Sequence, residues 1–537
     1  MSHADLVLYN ARIRTLDPKQ PAAEALAAAG GRVVLVGTDE AALSLAGPGT
    51  LRLNGQGHLV VPGFVDSHIH FASWAVARRQ VDLTGARTLA EALERVRTAA
   101  ERVPPGEWVV GRGWDHSDWE GGRFPSRADL DRVVPDRPVV LTRKDGHSIW
   151  VNSLALARAG IDRGTPDPPG GVIDRDEHGE PVGILREAPA MRLVWQAVGR
   201  PGADVIEAAL AEAVREAHRL GLTGVHEIDG REAFQAYQRL SRAGRLTLRV
   251  RFFLNPAHEL LEPATRLGIM SGFGDDWVKI AGVKLFADGS LGSLTALMLE
   301  PYEGTSDNFG VAVTPPEQLR AWVEEASRAG LAVAIHAIGD RANRVCLDIL
   351  EATRHLWADR GLRPRIEHVQ LLHPADLPRL ARIGVVASMQ PVHCTQDLFL
   401  AERYWGDRSR YGYAWRSLLE QGTVLAFGSD CPVETLDPFR GLFAAVTRQR
   451  EDGYPPGGWY PEERLDIESA VRAYTFGAAF AVGEEGHWGV LRPGSYADLL
   501  VLSGDIFGVA PAELLGIRVL ATVVGGRLVY TDPAFGP

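Results

Sequence analysis

A chain of 537 residues with 45% hydrophobic and 23% charged side chains exceeds one small domain and can bury a sizeable core, which excludes global disorder. A formal charge of −11 argues against an electrostatic nucleic-acid binder. No window approaches a transmembrane run, and Met1-Ser2-His3-Ala4-Asp5 lacks the regions of a signal peptide, so a cytoplasmic protein with no membrane partner is expected. Cys346, Cys394 and Cys431 offer neither a paired framework nor a C-x-x-C spacing. Lysine occurs only at positions 19, 144, 279 and 284, so 53 of the 57 basic residues are arginine and each lysine invites a specific role.

In chain order, "DLVLYNARIRTLD" reads as short strands, followed by a helix-prone Ala-rich patch and the strand-like "GRVVLVG". Eight apolar, strand-length runs follow, at 60–66, 219–226, 247–254, 278–286, 331–336, 363–369, 384–390 and 423–429. Helical patterns such as 315–330 and 373–384 separate several of them, which predicts a parallel sheet closed into a (β/α)8 barrel, an α/β fold. The gap over 71–218 is too long for one βα connection and carries its own strand and helix signals. It reads as a subdomain of about residues 75–215 inserted after the first barrel strand. The end of the chain returns to short strands, with Gly525-Gly526 as a hairpin turn.

The stretch "VVPGFVDSHIHF" ends its apolar run in His68 and His70. In a strand, residues two apart project to the same side, so both imidazoles face the barrel mouth, where they suit a divalent transition metal. The spacing also fits a solvated loop with two incidental histidines. The later runs weigh against chance: "LAVAIHAIGD" ends at His336, "RPRIEHVQLL" at His368 and "TVLAFGSDCP" reaches Asp430. A barrel gathers such strand ends around one axis, which points to a metal centre.

The pieces "PGFVDSHIH", "GWDHSDWEGGRFPSRADLD", "VKLFADGSLGS", "IHAIGDRAN", "IEHVQLL", "QPVHCTQD", "GSDCPV" and "GVLRPGSYADLLVL" resemble the amidohydrolase superfamily. Within it they resemble the family 3 branch that includes N-substituted formamide deformylases, and the likeness spans the whole chain. It implies a small β-sandwich built from both chain ends, residues 1–57 and 483–537, beside a barrel over 58–482. It also implies two divalent metals bridged by a lysine carboxylated on its side chain. By this resemblance His68, His70 and Asp430 bind one metal, His336 and His368 the other, and Lys284 carries the bridging carbamate. Zinc is the default metal, with manganese, iron or cobalt as alternatives. Lys279, five residues earlier and on the other face of an ideal strand, serves as a structural contrast.

The expected chemistry is hydrolysis of an amide, N-formyl or N-acyl C–N bond in a small molecule. A metal-bridging hydroxide attacks, and Asp430 shuttles the proton to the leaving nitrogen. His147 in "KDGHSIWVNS" is a candidate donor to the anionic intermediate, again by resemblance. Trp114, Asp115 and Trp119 either shape the pocket or pack among themselves. His226 reads as core or as support for the site, Asp288 as a loop anchor or a site residue, Asp340 and Arg341 as fixing the loop after His336, and Cys431 as packing. Leu294 stands where relatives often carry Arg, which suggests a less charged or more apolar substrate. The competing readings are a mononuclear deaminase or cyclic-amide hydrolase, with Lys284 unmodified, and a catalytically silent scaffold. A homodimer is left open.

Overall fold

The computed structural model describes residues 3–536 other than 117–118, 120–122, 144–147, 169–170, 200 and 293. Its centre is an eight-stranded sheet: β1 (Phe64–Ile69), β2 (Leu222–Glu227), β3 (Arg249–Leu254), β4 (Val278–Phe286), β5 (Ala332–Ala337), β6 (Arg365–His368), β7 (Val386–Met389) and β8 (Leu425–Phe427). Each strand pairs with the next in parallel, in sequence order. The eight runs read from the sequence are these eight strands. β1 and β8, at the two ends of this sheet order, share no strand ladder. Instead, the Asp430 N–H donates to the His68 carbonyl (2.7 Å) and the His70 N–H to the Cys431 carbonyl (3.0 Å). Asp66 accepts from the backbone N–H and hydroxyl of Ser429. Gly428 permits this approach: a Cβ there would stand 2.5 Å from the His68 nitrogen.

The first boundary differs from the expectation of 60–66. Leu59–Pro62 is a separate strand that pairs with Leu499–Leu502, and the barrel starts only at Phe64. Pro62 and Gly63 punctuate what reads as one apolar run, and Gly63 packs so close to Thr223 that a Cβ would clash. The Ala-rich patch is also not a helix. Ala25–Ala29 is a strand between Ala4–Tyr9 and Arg32–Gly37, buried over most of its length. Its small side chains fit a tightly covered sheet, and tertiary packing overrides a modest helical preference.

Two sheets are built from the chain ends, one of four strands and one of six. Leu6, Leu26 and Val33 of the first share a buried cluster with Val60, Leu499 and Val523 of the second. Gly525 and Gly526, at φ 56° and 71°, form the left-handed two-residue turn between Val519–Val524 and Arg527–Thr531. Residues Val76–Val205 form a second compact unit around a six-stranded mixed sheet. No helix among the described residues is long and apolar enough to cross a membrane.

One buried histidine away from the barrel mouth makes the fold pH-sensitive. His218, at the end of helix Ala203–Arg219, donates from Nδ1 to the Leu222 carbonyl (3.0 Å) and accepts at Nε2 from Thr247 (2.9 Å). Burial pushes its pKa down to about 4. The native state therefore resists a proton that the unfolded chain takes up near pH 6.5. Stability from this group is complete above that value and declines as pH falls toward 4, by about 3 kcal/mol at most. In urea titrations from pH 7 to 4, His218→Asn is expected to lose less stability on acidification than the wild type. Parallel curves would contradict this.

Candidate metal centre

The C-terminal strand ends converge as the alternation of barrel strands requires. β1 supplies His68, with His70 just beyond it; β4 supplies Lys284, β5 His336, β6 His368, and the turn after β8 Asp430. The tightest group is His68, His368 and Asp430, whose ligand atoms all lie within 4.8 Å of one another. Asp430 Oδ1 is 3.4 Å from His68 Nε2 and 3.7 Å from His70 Nε2. The ring of His368 is 4.7 Å from that of His68 and 4.5 Å from that of His336. The His368 ring is thus about as close to His68 as to His336, the residue expected to share its metal. Its left-handed backbone (φ 72°) swings the ring across the barrel axis toward β1. Asp430 is left-handed too (φ 57°), and two such residues cost about 1–3 kcal/mol each, strain that concentrates at functional sites.

Polar partners fix which ring nitrogens remain for a ligand. His68 Nδ1 is bonded to Glu367, His70 Nδ1 to Asp229 (3.0 Å) and His368 Nδ1 to Gln390 Oε1 (2.8 Å), leaving Nε2 of each for a metal. His336 is reversed: its Nε2 donates to the Gly289 carbonyl (2.9 Å), leaving Nδ1. Glu367 is held by Arg365 (2.5 Å), which also donates to His226 Nδ1 (2.8 Å) and the Ser67 carbonyl (2.7 Å). An outer shell of this kind orients ligands, and its loss typically costs about 10–100-fold in metal affinity. Asp229→Asn is expected to weaken divalent-metal binding within that range, read by competition with a chelator. Unchanged affinity would show that His70 orients without it.

The electrostatics suit a bound cation. Burial pushes His368 well below the usual imidazole value and His336 down to about 3, so both rings are neutral electron-pair donors at neutral pH. Burial raises the Asp430 carboxyl, but its close approach to His68 more than offsets this and holds it well below the usual carboxylate value. Lys284 is 1% exposed, its Nζ has no hydrogen-bond partner among the described residues, and burial pulls its ammonium down to about 8 against the attraction of Glu367 and Asp430. A lysine amine buried in a ring of metal-competent side chains carries its charge at a cost.

The amidohydrolase family model matches residues 53–530. The chain belongs to the amidohydrolase family. Over 98% of its length it is 36% identical to the protein LONG AFTER FAR-RED 3 of Arabidopsis thaliana, covering 92% of that protein. Over 98% of both chains it is 30% identical to the N-substituted formamide deformylase of Arthrobacter pascens. A metal-dependent hydrolase of Pyrococcus furiosus superposes with a TM-score of 0.80 at 30% identity, over 94% of this chain and 99% of that one.

In this amidohydrolase the remaining residues singled out from the sequence separate clearly. Lys279 faces away from Lys284 and pairs with Glu484 (2.7 Å). Asp288 is a loop anchor, accepting N–H groups of Leu297, Ile338 and Gly339, and burial pushes its carboxyl up to about 7. Asp340 accepts from the backbone of Leu299 and Arg341 after β5. Cys431 is buried, and Leu294 sits in a left-handed turn (φ 55°) after β4. Trp114 and Trp119 pack within the second unit, with their indole N–H groups donating to the carbonyls of Leu141 and Ala86. Of the two readings for these tryptophans, this geometry is the packing one. Asp115 accepts from Arg143 (2.7 Å) in the same unit. His147 lies outside the described residues. Sequence reasoning passed over Glu367, Asp229, Gln390 and His393, although Glu367 adjoins His368 and Gln390 directly follows β7.

Proposed function

We propose that this amidohydrolase cleaves an amide-type C–N bond of a small molecule, an N-formyl or N-acyl amine, at a two-metal site bridged by a carbamate on Lys284. The single observation supporting this reading is the buried Lys284 amine, without a hydrogen-bond partner among the described residues, amid His68, His70, His336, His368 and Asp430. The 30% identity to an N-substituted formamide deformylase over nearly the whole chain supports the substrate class. His68, His70 and Asp430 would hold one divalent ion, zinc by default, and His336 and His368 the other. Such ions supply an activated water and polarise the carbonyl.

The rest of the chemistry belongs to the chain. Burial of Lys284 favours the neutral amine, the form that adds carbon dioxide with loss of a proton. Asp430 turns Oδ1 toward His68 and His70, leaving Oδ2 to take the proton of the attacking water and pass it to the leaving nitrogen. Glu367, Asp229 and Gln390 keep three imidazoles in register while this proton moves.

The tight grouping, among the described residues, of His68, His368 and Asp430 favours a second reading, a mononuclear enzyme acting on a ring C–N bond with Lys284 unmodified. Elemental analysis of the purified protein, paired with turnover of a panel of secondary formamides, acetamides and cyclic amides, separates the two. Two equivalents of metal with hydrolysis of open-chain amides is the expected result. One equivalent with ring opening or deamination would favour the second reading, and neither metal nor turnover would overturn both.

A further inference from the structure

Helix Pro391–Trp405 begins directly after β7 and brings His393, in its first turn, to the metal-ligand ring. The side chain is 8% exposed and its plane lies 11° from that of His368, with ring centroids 6.1 Å apart. The Gln370 amide nitrogen lies 3.4 Å from His393 Nδ1 and donates to it. That contact, and the Asp430 carboxylate facing Nε2, select the tautomer with its proton on Nε2. Nε2 stands 3.8 Å from Asp430 Oδ2, beyond hydrogen-bond reach, and has no hydrogen-bond partner among the described residues. Two neighbouring buried polar atoms are unpartnered as well, Gln370 Oε1 and Gln390 Nε2. Buried donors are almost always satisfied, so an aimed and orphaned N–H implies a partner that arrives with the substrate.

We infer that His393 is a further catalytic residue, whose Nε2–H donates a hydrogen bond to the carbonyl oxygen of the bound amide as that oxygen becomes negative. The inference rests on the amide-hydrolase reading above. In the step it serves, water adds its oxygen to the carbonyl carbon and the C=O π pair moves onto the oxygen. Asp430 takes the water proton. The oxyanion pair then re-forms the C=O bond as the C–N bond breaks, the C–N electron pair leaves with nitrogen, and Asp430 returns the proton to that nitrogen. The His393 proton stays on His393 throughout and stabilises the oxyanion. Gln370 is a positioning residue, acting only through the tautomer of His393.

The test uses the full-length, metal-loaded protein and formanilide with its thio analogue, or the best pair from the amide panel. His393→Phe is expected to lower kcat by about 10²–10³-fold, as loss of one preorganised oxyanion donor does, with KM within about threefold of wild type and metal content unchanged. His393→Gln, which keeps an N–H donor, is expected to regain part of the loss. Sulfur accepts hydrogen bonds poorly, so exchanging oxygen for sulfur should slow the wild type more than His393→Phe. In metal-free protein labelled with ¹⁵N-histidine, the resonance lost in His393→Phe should show the Nε2–H tautomer. A kcat near wild type, metal lost in step with activity, equal thio effects in both proteins, or an Nδ1–H tautomer would overturn the inference. Absence of turnover by the wild type would instead overturn the amide-hydrolase reading and this inference with it.

Discussion

Asp430→Asn is expected to fold, keep metal, and lose amide hydrolysis by at least about 10³-fold. The substitution keeps the shape and one oxygen donor but removes the group that carries a proton between water and leaving nitrogen, an effect that commonly spans about 10²–10⁴. Asparagine also preserves the main-chain bond from residue 430 to the His68 carbonyl, so the left-handed turn has no new reason to open. Circular dichroism and elemental analysis establish the fold and the metal, and initial rates on the best amide of the panel read the chemistry. A folded, metal-replete variant with near-normal turnover would remove Asp430 from the proton path.

Lys284→Ala has the second large effect. It deletes a buried side chain whose amine has no hydrogen-bond partner among the described residues, and with it the proposed bridging carbamate, so metal content and activity should fall together by at least about 100-fold, beyond what outer-shell changes produce. Acetate or formate, small enough to occupy the vacated volume and able to bridge, should restore part of both. Lys279→Ala is the matched comparison. Its ammonium is one of two cations on Glu484, the other being Arg251, and it is partly exposed, so its removal should change stability by about 1 kcal/mol or less and leave metal untouched. Equal losses at the two positions, or no response to acetate, would assign the bridging role elsewhere.

The barrel was legible because its strands are apolar runs that end in metal-competent residues, and both signals are local. The errors at Pro62-Gly63 and in the Ala-rich strand have a common cause. Pairing with strands more than four hundred residues away, or burial between neighbouring strands, decided them, and neither leaves a trace in a short window. The candidate ligand positions, which the strand ends bring together, could be named for the same local reason. Their supports could not: His68 meets Glu367 across 299 residues and His70 meets Asp229 across 159. Asp229 sits in "GVHEID", where attention fell on His226 because a histidine is the conspicuous residue and a carboxylate is not. His393 was hidden by its place on a helix, one turn past the strand end where a search for ligands stops.

The barrel is sewn shut between β1 and β8 by a few side-chain and turn contacts in place of a strand ladder. His68 stands on one lip of that join and Asp430 on the other, 3.4 Å apart. An ion held by both would act as a buckle as well as a reagent. Stripping it with a chelator should then loosen a particular line in the molecule, so that amides of 64–70 and 425–431 exchange with deuterium sooner while the opposite wall of the barrel is unaffected. Catalytic competence and mechanical closure would be one property of this chain, gained or lost in the same event.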